Sequence, residues 1–567
     1  MPASLSPPPP DAKGRRRLQT LFLPWRRAWR SDALRFDVLA GTTLAAYAVP
    51  SSIAYAQLAG MPVASGLYCY LFAGLAYALF GPSRQLAVGP TSAVALTLAS
   101  TLSVFAAGNA AHYAAMAATT ALLVGLVALG AWLMRWGAIV HFISETVLTG
   151  FKIGAGTVIA ASQLPLLLGI TGGGHDFAGV VMHLARNLGS AQPASLALGL
   201  ATLGLLVAGQ TRFPRWPVPL LVVIAAIAFM QLPVAQSLHI ATVGAIPHGL
   251  PALGLPAFDW RELDTLLPLA LACFLIAYNE ASATARLLAA RHDDRVDPDG
   301  ELLGLSAANI AIALGHGFPS GGGLSQSLVN DHAGARTPLS LVVCSGWMAV
   351  ALLYLTGLFA RLPQPLLAAL VLASVLGMFR FDEMRQLLRV SRPEFVIALV
   401  TIAAVLGLGI LKGVLVAAVF SLTMLIRSLA DPECVLLGRL PGKGHFGALS
   451  RYPEAQPVPG VMIVRANAAL LYFNADNVKA RIRADIDAAG SPPRTVILDV
   501  SFSTDIDLST ARMLADVART VRGDGIEFRL AEAHWRVRAL LAEERLEPLL
   551  GDLARSYSIE DLVDGDR

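Results

Sequence analysis

Between Asp37 and Leu429 the chain is built of apolar blocks of roughly 17–25 residues separated by short polar breaks. A helix needs about 20 such residues to cross a bilayer. A long row of these blocks therefore fixes the class before any single residue is weighed: an α-helical membrane protein with many spans. Composition agrees, because 55% of the 567 residues are apolar and only 14% are charged, against about a quarter charged in soluble domains. From about Leu440 the sequence reads as ordinary soluble protein. The expected organisation is a basic tail at 1–36, a transmembrane domain at 37–430, a linker at 431–440 and a soluble domain at 441–567.

The tail carries Lys13, Arg15, Arg16, Arg17, Arg26, Arg27, Arg30 and Arg35 against Asp11 and Asp32. Placed just before the first span, this charge reads as a cytoplasmic anchor rather than a nucleic-acid surface. The first long apolar stretch starts near Val38 and runs straight into further spans, which argues against a cleavable signal peptide. The four cysteines (Cys69, Cys273, Cys344 and Cys434) show no CxxC spacing and read as packing residues, so no metal centre or cofactor is expected.

Segmentation gives fourteen spans, at 37–58, 64–80, 89–106, 113–134, 138–168, 193–210, 216–233, 264–285, 301–316, 319–331, 338–359, 363–379, 393–410 and 412–428. With the N-terminus inside, twelve loop arginines fall on the inner side and four basic residues (Arg186, Arg261, Arg361 and Lys412) on the outer side. That asymmetry is the positive-inside pattern and implies an inner (plasma) membrane protein with both termini cytoplasmic.

Two regions share a design. Ala48-Val49-Pro50-Ser51-Ser52 interrupts one span and Val88-Gly89-Pro90-Thr91-Ser92 opens another; later, Tyr278-Asn279-Glu280 interrupts a span and Gly317-Phe318-Pro319-Ser320-Gly321 opens another. Pro50 and Pro90 are 40 residues apart, Glu280 and Pro319 are 39, so the shift between halves is 229 or 230 at both points. Seven spans per half is an odd number, which gives the halves opposite orientations: two inverted repeats of seven. Pro followed by hydroxyl residues suits the first turn of a helix. Half-helices starting at Pro90–Ser92 and at Pro319–Gln326 would then meet N-terminus to N-terminus. Each N-terminus offers unpaired N–H groups and about half a positive charge, an anion site without a buried Lys or Arg.

These residues resemble the sulfate permease (SulP) family, whose animal members include pendrin and prestin. The resemblance rests on Asp37-Val38-Leu39-Ala40-Gly41 through Pro50 and Ala54–Pro62, on Gly81-Pro82-Ser83-Arg84-Gln85 through Pro90, and on Asp297–Leu302, Gly317-Phe318-Pro319, Ser325–Asn330 and Gly334-Ala335-Arg336-Thr337. It implies core and gate subdomains that move past each other as an elevator, a C-terminal α/β STAS domain, and a substrate class of small anions such as sulfate, bicarbonate or dicarboxylates. Carried over by position, the anion ligands are Ser51, Tyr55, Thr91, Ser92, Leu324, Ser325 and Gln326. The family often has Gln at the position of Ser51, and many members have Arg at that of Gln326, so the resemblance does not name the anion.

Glu280 lies inside an apolar span with Thr284 four residues on. An ionised carboxylate there must be paired, bind a cation or hold a proton, and Thr284 shares its helical face. The pair is expected to carry a coupling cation, H+ ahead of Na+. Glu145 and Lys152, two turns apart in the fifth span, read as a structural link between subdomains. In the soluble part, 460–465, 495–500 and 526–530 read as strands and 475–488, 508–521 and 534–544 as helices. Asp505-Ile506-Asp507 is followed by Leu508 where STAS phosphoswitches carry a Ser, so an assembly module at a homodimer interface is expected instead. Secondary active anion transport leads. A passive anion channel, an uncoupled exchanger and a membrane sensor follow, and enzyme activity lacks any nucleophile, metal or nucleotide motif.

Overall fold

The apolar blocks form helices: α1 (Ala33–Leu58), α2 (Val63–Phe80), α3 (Ser92–Phe105), α4 (Ala110–Leu133), α5 (Glu145–Leu168), α6 (Phe177–Asn187), α7 (Pro193–Arg212) and α8 (Val218–Phe229). A two-residue strand, β1 (Val88–Gly89), precedes α3. The second half brings α9 (Leu263–His292), α10 (Pro298–Leu314), β2 (Gly321–Gly322), α11 (Leu324–His332), α12 (Leu339–Val350, prolonged through a π turn to Phe359), α13 (Gln364–Leu376), α14 (Phe381–Val390), α15 (Arg392–Leu408) and α16 (Ile410–Ala430). The computed structural model describes residues 22–28, 33–105, 109–137, 145–172, 177–213, 218–244, 249–257, 259–442 and 445–565.

Single-turn segments aside, the described residues of the two halves follow one order: two helices, a two-residue strand, then six helices. Each helix of the first half thus has a counterpart eight helices later. Among the described residues, eight helices are long and apolar enough to cross a membrane by length and composition, and shorter apolar helices such as Val218–Phe229 accompany them.

Three features differ from the sequence expectation. Pro50 does not interrupt its span, since α1 runs through it. The Ser51 hydroxyl donates to the Tyr47 carbonyl (2.8 Å) and the Ser52 hydroxyl to the Val49 carbonyl (2.9 Å), supplying donors around the N–H that proline lacks. Nor does Tyr278-Asn279-Glu280 break α9, because all three residues keep their backbone donors. Finally, α6 and α14 lie outside the fourteen apolar segments. Both are short and mix charged with apolar residues, so a search for apolar runs passes over them.

Close approach in the bundle depends on small residues. A Cβ on Gly125 of α4 would lie 2.7 Å from Ile310 Cγ1 of α10, and there the Ser306 hydroxyl donates to the Gly125 carbonyl (2.8 Å). Buried charge is satisfied by design. Asp37 of α1, with no exposed surface, accepts from the backbone N–H groups of Arg336 (2.8 Å) and Thr337 (2.9 Å) and from the Thr337 hydroxyl (2.6 Å). Glu301, in the first turn of α10, accepts from the Tyr77 hydroxyl (2.8 Å) and from Ser83.

The chain divides into two compact units, Met1–Val419 and Phe420–Arg567. The second unit holds a five-stranded sheet in the order β4-β3-β5-β6-β7, with β3 (Cys434–Arg439), β4 (Phe446–Ala448), β5 (Val461–Ala466), β6 (Thr495–Asp499) and β7 (Glu527–Ala531). β5, β6 and β7 pair in parallel, as βαβ crossovers require, while β3 is antiparallel to both β4 and β5. Helices α17 (Ala475–Asp487) and α18 (Leu508–Gly523) follow β5 and β6 and bury Val478, Ile482, Leu514 and Val517 against Val464, Leu498 and Phe528. β3 occupies the stretch expected to be a linker at 431–440, because six residues of it pair along β5 and β4. Within this unit Asn474 and Asn477 donate to the Leu429 and Ala430 carbonyls at the end of α16 (2.9 and 2.7 Å), which the helix cannot satisfy itself.

The Asp505-Ile506-Asp507 turn has a structural use. Asp507 caps α18, accepting from the Thr510 N–H (2.8 Å) and also from the Tyr472 N–H (2.7 Å). Partial burial pushes its carboxyl up, but these backbone donors outweigh that and hold it below the usual carboxylate range.

Candidate anion-binding site

β1 and β2 are equivalent strands of the two halves, and they pair with each other antiparallel, Val88 opposite Gly322 and Gly89 opposite Gly321. Equivalent elements related by a two-fold axis perpendicular to them run antiparallel where they meet. α3 starts three residues after β1 and α11 two residues after β2. The two helices therefore leave the crossing in opposite directions, with their free N–H groups and positive dipole ends beside it.

Buried amides hold the crossing in place. Gln326 Nε2 donates to the Ala87 carbonyl (3.1 Å) and the Gly321 carbonyl (3.4 Å), one on each side, while its Oε1 accepts from the Tyr70 hydroxyl. The two carbonyl partners fix which way the amide points. The Ser327 hydroxyl donates to the Gly323 carbonyl (2.8 Å) and accepts from the Ala87 N–H (2.9 Å). Asn309 exchanges two hydrogen bonds with the Ser320 backbone (3.0 and 3.1 Å), and Asn330 donates to the Gln85 carbonyl (3.0 Å).

Hydroxyl groups gather at the same place. Tyr47 and Tyr55, two turns apart on α1, interact with each other and with Ser374 of α13; Tyr47 also interacts with Ser325 of α11, and Tyr55 with Glu280. Ser325 is exposed, and Tyr47, Ser92, Glu280 and Ser374 are partly so, so the cluster faces accessible space. Thr91 is buried, and its Oγ1 has no hydrogen-bond partner. It lies within interaction range of the Glu280 carboxyl. Glu280 Oε2 is likewise buried without a partner. A buried polar atom left unpaired costs about 1–3 kcal/mol, so Thr91 Oγ1 and Glu280 Oε2 are the candidate ligands of this site.

The expected site residues thus fall into groups. Tyr55, Thr91, Ser325 and Glu280 come together at the crossing. Ser92 and Leu324 are the first residues of α3 and α11, and the Ser92 hydroxyl rests on Met378 Sδ (3.7 Å). Thr284 is buried one turn along α9 from Glu280. Two of the expected side chains are engaged by the protein. Both ends of the Gln326 amide are held, so this side chain clamps the crossing, while its backbone N–H belongs to the first turn of α11. Ser51 gives its only proton to its own helix. The sequence reading missed Tyr47, Tyr70, Asn309 and Ser374. Lys152, read from the sequence as structural, is near enough for its charge to favour the ionised Glu280 carboxyl. The Glu145 side chain lies outside the described residues.

The clamp makes a testable distinction. Gln326→Ala removes the side-chain donor that the Ala87 and Gly321 carbonyls share and takes the acceptor away from the buried Tyr70 hydroxyl, a loss of about 1–3 kcal/mol. Melting temperature and maximal uptake are expected to fall together. A raised KM at unchanged melting temperature would instead return Gln326 to the anion.

Comparison with known proteins adds an independent line. Residues 34–401 match the sulfate permease family model and residues 452–557 the STAS domain model. A Mycobacterium tuberculosis protein named a probable sulfate transporter is 35% identical over 531 residues, covering 94% of each chain. The chloroplastic sulfate transporter 4.1 of Arabidopsis thaliana is 32% identical over 559 residues, covering 94% of this chain and 81% of its own. Among solved structures, the murine solute carrier 26 family member A9 anion transporter in its inward-facing state superposes with a TM-score of 0.88 at 22% identity, over 100% of this chain and 96% of its own. The transmembrane domain of the cyanobacterial bicarbonate transporter BicA gives 0.61 at 24% identity, over 69% of this chain and 98% of its own. These two likenesses concern the fold.

Proposed function

The chain belongs to the sulfate permease family, and we propose that it is a secondary active transporter of small anions that works by elevator-type alternating access. The observation that carries this reading is the antiparallel β1–β2 crossing, which sets two helix N-termini beside a cluster of hydroxyls. An anion there meets N–H groups and O–H donors from Tyr47, Tyr55, Thr91 and Ser325, with Ser92 and Leu324 at the helix starts. Sulfate leads the substrate class, because relatives above 30% identity carry that name; bicarbonate and dicarboxylates follow.

Glu280, unpaired at Oε2 beside Thr91, carries the coupling cation in this reading, with Thr284 one turn on. H+ comes ahead of Na+ in this reading, since a buried carboxyl can take up a proton without any further ligands. A passive channel or an uncoupled exchanger is the second reading. It leaves the carboxylate without a task. Residues 37–430 form the transport domain in this scheme. The STAS domain at 441–567 serves assembly, in a homodimer of the inner membrane with both termini cytoplasmic and lipid around the bundle.

Uptake of labelled sulfate, bicarbonate and C4-dicarboxylates into proteoliposomes, with and without imposed pH or Na+ gradients, tests this. Saturable sulfate uptake above equilibrium under a gradient is the expected result. Unsaturable flux indifferent to every gradient would replace the transporter with a channel.

A further inference from the structure

α14 (Phe381–Val390) plays no part in the transport scheme above. At about 100° per residue, its Glu383, Met384 and Leu387 share one flank, and all three are half-buried against the protein. Phe381 and Leu388 come next around the helix and are 61% and 52% exposed. Beyond them stand Arg385 and Arg389, both exposed, with Arg392 just after the helix. These three arginines make no ion pair or hydrogen bond among the described residues. Of the neighbouring acids, Glu383 is already engaged by Arg380 (3.3 Å) and by the Thr149 hydroxyl (2.9 Å), which leaves Asp382 as the one exposed acid on the helix.

A packed flank, an exposed apolar edge and a basic edge, in that order around one helix, suit the boundary between acyl chains and headgroups. Unpaired arginines of one sign select anionic headgroups, because the guanidinium fork matches phosphate oxygens. The repeat does not impose this charge: the counterpart α6 carries only Arg186 and His183. The helix is also tied to the transport bundle. Beside the Thr149–Glu383 bond, the Thr146 hydroxyl donates to Glu394 of α15 (3.1 Å). Thr146 and Thr149 lie in the first turns of α5, three residues or more before Lys152.

We propose that α14 docks on anionic phospholipid headgroups, with Arg385, Arg389 and Arg392 on the phosphates and Phe381 and Leu388 in the acyl boundary, and that this contact steadies α5. Native mass spectrometry of the full chain, offered phosphatidylglycerol and phosphatidylcholine together, tests the contact. The expected result is retention of phosphatidylglycerol over phosphatidylcholine by on the order of 10-fold, lost in Arg385→Gln/Arg389→Gln/Arg392→Gln with melting temperature unchanged. The triple Lys variant, which keeps the charge, is expected to keep most of the preference. Equal retention of both lipids by the unaltered chain, or full preference in the triple Gln variant, would overturn the proposal. So would a change in oligomeric mass without a change in lipid retention, which would assign the surface to a second copy. Sulfate uptake stimulated by phosphatidylglycerol in the unaltered chain and not in the triple Gln variant is the expected sign of the link to α5; equal stimulation of both would sever it. Absence of uptake in every lipid would count against the transport reading, while lipid retention reports on α14 alone.

Discussion

Glu280→Gln is expected to abolish gradient-driven accumulation of sulfate in proteoliposomes, with initial rates under an inward gradient falling on the order of 100-fold, equivalent to roughly 2.7 kcal/mol. The substitution keeps the size and removes the charge. Glu280 is partly accessible, its Oε2 has no partner, and Thr91 and Lys152 stand nearby. Glutamine imitates the protonated acid, so downhill exchange of anion for anion is expected to survive while its dependence on pH disappears. The coupling ion can be read from the same variant. If H+ is carried, the loss appears as a flat pH profile at every Na+ concentration. If Na+ is carried, Na+ activation vanishes and the pH profile of the unaltered chain is already shallow. Glu280→Gln protein that still concentrates sulfate as well as the unaltered chain would remove the carboxylate from coupling altogether.

How far the sequence reached depended on the length scale of each signal. Apolar runs of bilayer length are long and unambiguous, and eight helices among the described residues are long and apolar enough to cross a membrane. The halves could be aligned because Pro90 and Pro319 punctuate them at one offset. Pro50 misled because a proline removes a donor, and only the structure shows Ser51 and Ser52 supplying others. The amphipathic α6 and α14 were hidden because their charges lower the local hydropathy to that of a loop. The β1–β2 pair is two residues long on each side, below any pattern a strand can print in sequence. Gln326 shows the limit most plainly. Residue type says that an amide can donate, and not to whom. Its partner Tyr70 sits in the apolar run Gly66–Phe72, where an aromatic reads as packing. β3 was mistaken for linker because a short apolar stretch after a long one looks like the tail of a span.

Gly321→Ala is expected to lower both melting temperature and uptake beyond repair by trimming its neighbour, whereas Gly89→Ala and Tyr70→Ala are expected to cost less together than the sum of each alone. Both glycines belong to the crossing, and both are filled positions. A Cβ on Gly321 would lie 2.9 Å from Ala277 Cα, the backbone of α9, and one on Gly89 would meet the Tyr70 ring. Backbone cannot step aside without moving its helix, so Ala277→Gly leaves the clash in place. Overpacking of this kind costs about 1–3 kcal/mol, and a crossing pushed off α9 also shifts both helix N-termini away from Glu280. The Tyr70 ring is a side chain and can be removed, but only by giving up its hydrogen bond to Gln326. The buried Tyr70 ring leaves a cavity when removed, so the double variant is expected to stay below the unaltered chain in stability and transport, but to lose less than the two single variants summed. A thermal-shift and uptake double-mutant cycle on each pair measures the difference: a coupling energy near zero for Gly321 with Ala277, and one above about 1 kcal/mol for Gly89 with Tyr70. Unaltered melting and uptake in Gly321→Ala would mean that the crossing tolerates displacement and that its geometry does not set the anion site.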